Sequence, residues 1–285
     1  MRALILAFVA GFAVAASTPA APLMLQPAAI EVGAGPPVDL VSGGRGWGPV
    51  VADISVASGT ERVLFLGTER ARTLLVLLPG NDGIVALDSA GGIRQLGGNF
   101  LVRTMGQWVA QGFDVVLPDA PNGTSLLGQR HLPAYAEAIG RAIDFGRSHA
   151  NLPVWLIATS QGSTAAVNGA AHLGSRVSGA VLASSVTRPG HAGETLFDAE
   201  PGAITVPVLV VVNQYDSCGV SPPADAPSIL AALTRAPRKE LAIVASNQIA
   251  RRADRCEGMS PHGYLGIEGT VVQRISDWIR MAGGR

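Results

Sequence analysis

The apolar run Val154-Trp155-Leu156-Ile157-Ala158 passes through Thr159 and stops at Ser160-Gln161-Gly162-Ser163, where an alanine-rich stretch begins at once. This order predicts a strand, a tight turn and a helix, with Ser160 at the apex. The spacing approaches G-x-S-x-G, with Ala158 in place of the first glycine. Small residues are needed on both sides of such a turn, because the strand and helix backbones approach closely there. A serine at the apex holds its hydroxyl off the strand end, beside the positive end of the following helix. A serine that merely caps the helix is the simpler reading of the same pattern. The choice rests on what the rest of the chain brings to that point.

At 285 residues the chain can bury one sizeable core. Lys+Arg and Asp+Glu both number 21, so no charge excess supports a nucleic-acid surface or an acidic partner. Arginine supplies the positive charge almost alone, Lys239 being the single lysine. At the N-terminus, Arg2 precedes an apolar run from Ala3 to Ala16 and a small-residue region up to Ala21. That is the layout of a cleaved export signal over residues 1–21, and the run is short for a membrane span. The expectation is an exported protein, periplasmic or secreted, with no membrane span once the signal is removed. Cys218 and Cys256 are the two cysteines. An oxidising compartment permits a bond between them, and two free buried thiols are the other reading.

Residues 22–49 are rich in proline and glycine and predict an extended N-terminal segment ahead of one domain over 50–285. Two opening strands are expected at 50–57 and 62–67. Further strands are expected at 73–78, 114–117, 154–159, 177–183, 206–212 and 240–245. Helices are expected at 101–111, 132–149, 162–173, 225–235 and 271–281, the last from apolar residues at helical spacing (Val272, Ile275, Ile279). Alternating strands and helices predict an α/β domain whose central sheet is mostly parallel, with helices on both faces. The long, glycine-punctuated connection over 84–100 is a candidate functional rim that could cover a pocket.

In an open parallel sheet, ligands meet the carboxyl ends of the strands. Those ends carry Asn81, Asp82, Asp119, Ser160, Ser184 and Asp216, with His262 after the last strand. The chain resembles the α/β-hydrolase family over nearly all of residues 50–285. The resemblance rests on Leu-Pro-Gly-Asn ending at Asn81, Ala-Thr-Ser-Gln-Gly ending at Gly162, Asn-Gln-Tyr-Asp ending at Asp216 and Pro-His-Gly starting at Pro261. In that family the reacting residues occur in the order serine, acid, histidine. The resemblance implies Ser160 as nucleophile, His262 as general base and Asp216 as the acid that orients the imidazole. It also implies an oxyanion hole made by the backbone N–H groups of Gln161 and Asn81. Two positions depart from the family pattern: Ala158 at the first elbow glycine, and Pro79-Gly80 where His-Gly is usual.

Asp119 also ends a strand and is the alternative acid. His131, His149, His172 and His191 fall in helices or loops away from the last strand end and read as packing or surface residues. No zinc-ligand spacing, phosphate-binding loop or dinucleotide fingerprint is present, so neither metal nor organic cofactor is expected. A Cys218–Cys256 bond would tie the acid loop to the histidine loop. The function implied is hydrolysis of carboxylic esters through an acyl-enzyme, on a small ester or acyl substrate. No sequence feature points to a protein partner. A non-catalytic binding protein of the same fold is the alternative, as is an amidase, thioesterase, dienelactone-type hydrolase or deacetylase using the same three residues.

Overall fold

The structure, a computed structural model, describes residues 48–283. The expected signal at 1–21, and the expected extended segment at 22–49 apart from its last two residues, lie outside the described residues. Among the described residues no helix is long and apolar enough to cross a membrane.

The chain opens with an antiparallel hairpin, β1 (Val50–Val56) and β2 (Gly59–Leu66). β3 (Leu74–Leu78), β4 (Asp114–Pro118), β5 (Val154–Thr159), β6 (Gly179–Ala183), β7 (Val208–Asn213) and β8 (Lys239–Val244) complete an eight-stranded sheet. Its order is β1-β2-β4-β3-β5-β6-β7-β8. β2 runs antiparallel to β1 and β4, and all other neighbours are parallel. β3 to β7 are buried at every position. Both of their faces are covered, and this is why they read as unbroken apolar runs. β8 lies at the edge and is only partly covered, so its burial is interrupted.

Alternate residues of one strand serve opposite faces of the sheet. Leu74, Val76, Leu78, Leu156 and Ala158 pack with α3 (Pro133–His149), α4 (Gly162–His172) and α5 (Ala226–Ala232). Leu75, Leu77, Trp155 and Ile157 pack on the other face with α1 (Phe100–Arg103), α2 (Met105–Ala110) and α6 (Glu268–Ala282). Trp155 and Trp278 meet edge to face across that second layer, 5.5 Å between centroids.

The single helix expected at 101–111 is two short ones. Thr104 Oγ1 donates back to the Phe100 carbonyl at 2.6 Å and accepts from Trp108 Nε1 at 3.1 Å. This back-bonding competes with the helical ladder and breaks it at Thr104, whose ψ is 7°.

Candidate active site

β5 ends at Thr159, and Ser160 follows with φ +53°, in the left-handed region that a side chain with a Cβ enters only at a cost of about 1–3 kcal/mol. The strain is held by close packing. A Cβ on Gly162 would overlap the Leu78 carbonyl oxygen. A Cβ on Gly80 would lie 2.6 Å from Ser160 Cβ. The loop after β3 and the elbow after β5 are therefore in direct contact, as the pairing of Leu78 with Ala158 requires. Ala158 is fully buried between β3 and β6, so the small residue expected at this point is needed for packing.

The expected acid and histidine meet. Asp216 Oδ2 lies 2.8 Å from His262 Nδ1, and both side chains are buried. A carboxylate only accepts, so Nδ1 carries a proton, and in the neutral ring Nε2 is the acceptor. Nε2 is buried and has no hydrogen-bond partner. An unsatisfied lone pair on a buried, oriented imidazole is a proton acceptor waiting for a donor. The other Asp216 oxygen takes the backbone N–H of Cys218 at 2.9 Å.

The end of β6 holds both halves of this arrangement. Ser160 N–H donates to the Ala183 carbonyl at 2.9 Å. The next residue, Ser184, places its hydroxyl oxygen 2.8 Å from the His262 carbonyl and 2.9 Å from Tyr264 Oη, with its one proton available to either. Tyr264 Oη in turn donates to the Val211 carbonyl at 3.0 Å. Burial pushes the Tyr264 phenol up from its ordinary value, so it stays a donor at any working pH. Asn213 Nδ2 donates to the carbonyls of Ser246 and Pro261, at 2.8 and 2.9 Å. Ser221 Oγ sits 3.1 Å from His262 Nδ1. Ser160 Oγ and His262 Nε2 are not hydrogen bonded to each other. Such contacts are often long in unliganded enzymes and tighten with substrate bound.

A disulfide joins Cys218 to Cys256. It links the loop that carries Asp216 to the loop that leads into His262. Cys218 is buried, whereas Cys256 is exposed.

Asp119 is placed apart from His262 and does other work. Its carboxylate accepts from the N–H groups of Val85 at 2.8 Å, Ala86 at 3.2 Å, Leu87 at 2.8 Å and Ala120 at 2.8 Å. It braces the start of the 84–100 connection, which inserts Val85 and Leu87 into the core and closes on itself through a Leu87–Ile93 bridge. The other histidines also have separate settings. His131 pairs with Glu194 at 2.8 Å, His149 stacks on Phe65, His172 contacts the Asn168 carbonyl, and His191 is exposed.

Of the expected oxyanion donors, Gln161 is the residue before α4, and Asn81 has φ +55° in the loop against the elbow. A cavity of about 580 Å³ lined by Arg72, Phe113, Trp155 and Pro207 lies at the amino ends of the strands, away from these residues.

Sheet order and elbow together decide the architecture. The chain has the α/β-hydrolase fold. Solved structures with this fold superpose on nearly their whole length. A Pyrococcus furiosus esterase matches with a TM-score of 0.62 at 10% identity, over 92% of this chain and 99% of its own. A highly thermostable carboxyl esterase from Bacillus coagulans matches with a TM-score of 0.59 at 11% identity, over 83% and 99%. A dienelactone hydrolase from Anabaena variabilis matches with a TM-score of 0.57 at 16% identity, over 82% and 98%. No protein-family model and no curated protein sequence matches the chain. Within the α/β-hydrolase fold, Asp216 and His262 occupy the two loops beyond the carboxyl ends of β7 and β8, on the same side of the sheet as Ser160.

Proposed function

We propose that the protein is an exported serine hydrolase of carboxylic esters that works through an acyl-enzyme. The observation that carries this reading is the buried Asp216–His262 pair, with Nε2 unpartnered, pinned to the same strand end as the left-handed Ser160. The fold's likeness to esterases supports the ester class, and the disulfide supports an oxidising compartment.

In this reading Ser160 Oγ attacks the acyl carbon while His262 Nε2 takes its proton. Asp216 holds the ring in the tautomer that leaves Nε2 free and stabilises the imidazolium that forms. The oxygen that becomes negative is met by the N–H groups of Gln161 and Asn81, each worth about 2.7–4 kcal/mol to the transition state. Imidazolium then gives its proton to the departing alcohol. Water repeats the sequence on the acyl-enzyme and releases the acid. The 84–100 connection is packed into the core at Val85 and Leu87, which favours an open site and a small substrate or the end of a polymer.

The test is a series of p-nitrophenyl esters of increasing acyl length. Wild-type protein should turn over the short members, and Ser160→Ala should lose about 10⁴-fold or more in kcat. Equal turnover by the two proteins would overturn the assignment.

A further inference from the structure

Arg130 lies in the polar stretch just before α3 and is 1% exposed. A buried guanidinium is ordinarily matched by a carboxylate or a full set of acceptors, because removing a charge from water costs several kcal/mol. Arg130 has neither. Among the described residues it makes no ion pair. Nη2 reaches the carbonyl oxygens of Pro79 and Gly80 at 3.4 and 3.5 Å, and Nη1 has no partner. Both distances are long for hydrogen bonds. Asp82 and Glu194 are near enough to act on its charge. Both act from beyond ion-pair distance: Asp82 accepts the Ile84 N–H, and Glu194 holds His131 and the Gly128 N–H. Asn168 on α4 fixes the backbone of this stretch by donating to the Arg130 and Leu132 carbonyls, at 2.8 Å each. Gly83, with φ +81°, gives the guanidinium room: a Cβ there would lie 2.9 Å from Nη2.

The two carbonyls that Arg130 reaches belong to the loop against Ser160. Every peptide bond of the described chain is trans. In a trans peptide the C=O of one residue and the N–H of the next point in opposite directions. The Gly80 carbonyl and the Asn81 N–H are one such unit. With the carbonyl drawn inward to a buried cation, the N–H turns away from the interior. Gly80 also lies against the elbow, where its Cβ would sit 3.3 Å from the Gln161 nitrogen.

We propose that Arg130 is a positioning residue for the oxyanion site: it draws the Pro79 and Gly80 carbonyls inward, which aims the Asn81 N–H at the substrate oxygen. This rests on the serine-hydrolase reading. Arg130 touches no substrate, and its influence reaches the reaction through the loop that carries Asn81.

The experiment compares wild type, Arg130→Met and Arg130→Lys. Each is titrated to completion with a fluorophosphonate, so that kcat is expressed per reactive serine. Arg130→Met should lose about 10–100-fold in kcat, a part of the 10²–10³-fold that removal of a whole oxyanion donor costs, with KM within about threefold. Arg130→Lys restores the charge with a shorter reach and should recover part of the loss. A role in folding alone would lower the melting temperature and the number of reactive serines but leave kcat per serine within twofold of wild type, and that result overturns the proposal. Should Arg130→Met fail to fold, Arg130→Lys decides, with a several-fold lower kcat at unchanged KM supporting the proposal and an unchanged kcat refuting it. A wild-type protein that takes no label at Ser160 removes the hydrolase reading itself, and the role of Arg130 with it.

Discussion

Asp119 and Asp216 are the same residue in similar places, each in a loop beyond the carboxyl end of a parallel strand and each 7% exposed. Their partners differ. Asp119 is saturated by four backbone N–H groups, three of them from one short stretch of a neighbouring loop. Asp216 takes one backbone N–H and gives its second oxygen to an imidazole. A carboxylate surrounded by peptide donors can only hold a loop still. A carboxylate against a ring nitrogen fixes a tautomer, and so leaves the far nitrogen able to accept a proton. Position at the end of a strand makes an acid available, and the group it faces decides its use.

The comparison breaks most visibly in kinetics. Asp216→Asn should cut kcat by about 10⁴-fold, because an amide no longer enforces the productive tautomer. Asp119→Asn should leave kcat within about tenfold of wild type and instead cost about 2–3 kcal/mol in urea unfolding, by setting an amide N–H among N–H donors. Reversed results would exchange the roles of the two acids.

The second contrast lies in how each acid loop is tied down. Hydrogen bonds secure the Asp119 loop, and a covalent link across 38 residues secures that of Asp216. Closing a loop of that length stabilises by about 4 kcal/mol on the chain-entropy account. Full reduction, verified by thiol titration, should lower the melting temperature and reduce turnover together. An unchanged melting temperature after complete reduction would deny the link any structural role.

The smallest effect involves the neighbour of Asp119. Glu61 is 1% exposed, and its Oε2 has no partner. Burial, reinforced by the Asp119 charge, raises its carboxyl well above the usual range. The folded state therefore prefers the protonated form. Stability is fully present below the unfolded-state value of about 4.3 and is lost as pH rises from there through the folded value. Glu61→Gln should remove this dependence. The variant should gain on wild type as pH rises, and the gap should close near pH 4. Urea unfolding across a pH series reads both, and a gap that stays constant with pH would place the strain elsewhere.

The sheet was legible where its chemistry is local. β3, β5 and β7 read as apolar runs because they are covered on both faces, and the elbow announced itself by small residues around one serine. Errors arose where a side chain competes with the backbone, as Thr104 does in splitting the helix read over 101–111. β6 begins at Gly179 and not at the expected 177, since Val177 closes a short turn onto the Gly174 carbonyl. Strand order and family likeness pointed to Asp216 and His262, and the two side chains do meet. The supports around them could not be named that way. Ser184 stood out only as a strand-end residue, and Asn213, Tyr264 and Arg130 act through contacts with residues between 33 and 53 positions away, pairings that leave no local pattern. Asp119 looked like a candidate acid for the same reason, because its four donors come from backbone, which carries no sequence signature.

The central claim is that one hydroxyl, one imidazole and one carboxylate act as a unit. It is tested most directly by treating the protein with a fluorophosphonate and mapping the modified peptide by mass spectrometry. The account predicts a single adduct on Ser160, absent from Ser160→Ala and formed orders of magnitude more slowly in His262→Ala. An adduct on another residue, or a labelling rate indifferent to His262, would contradict it.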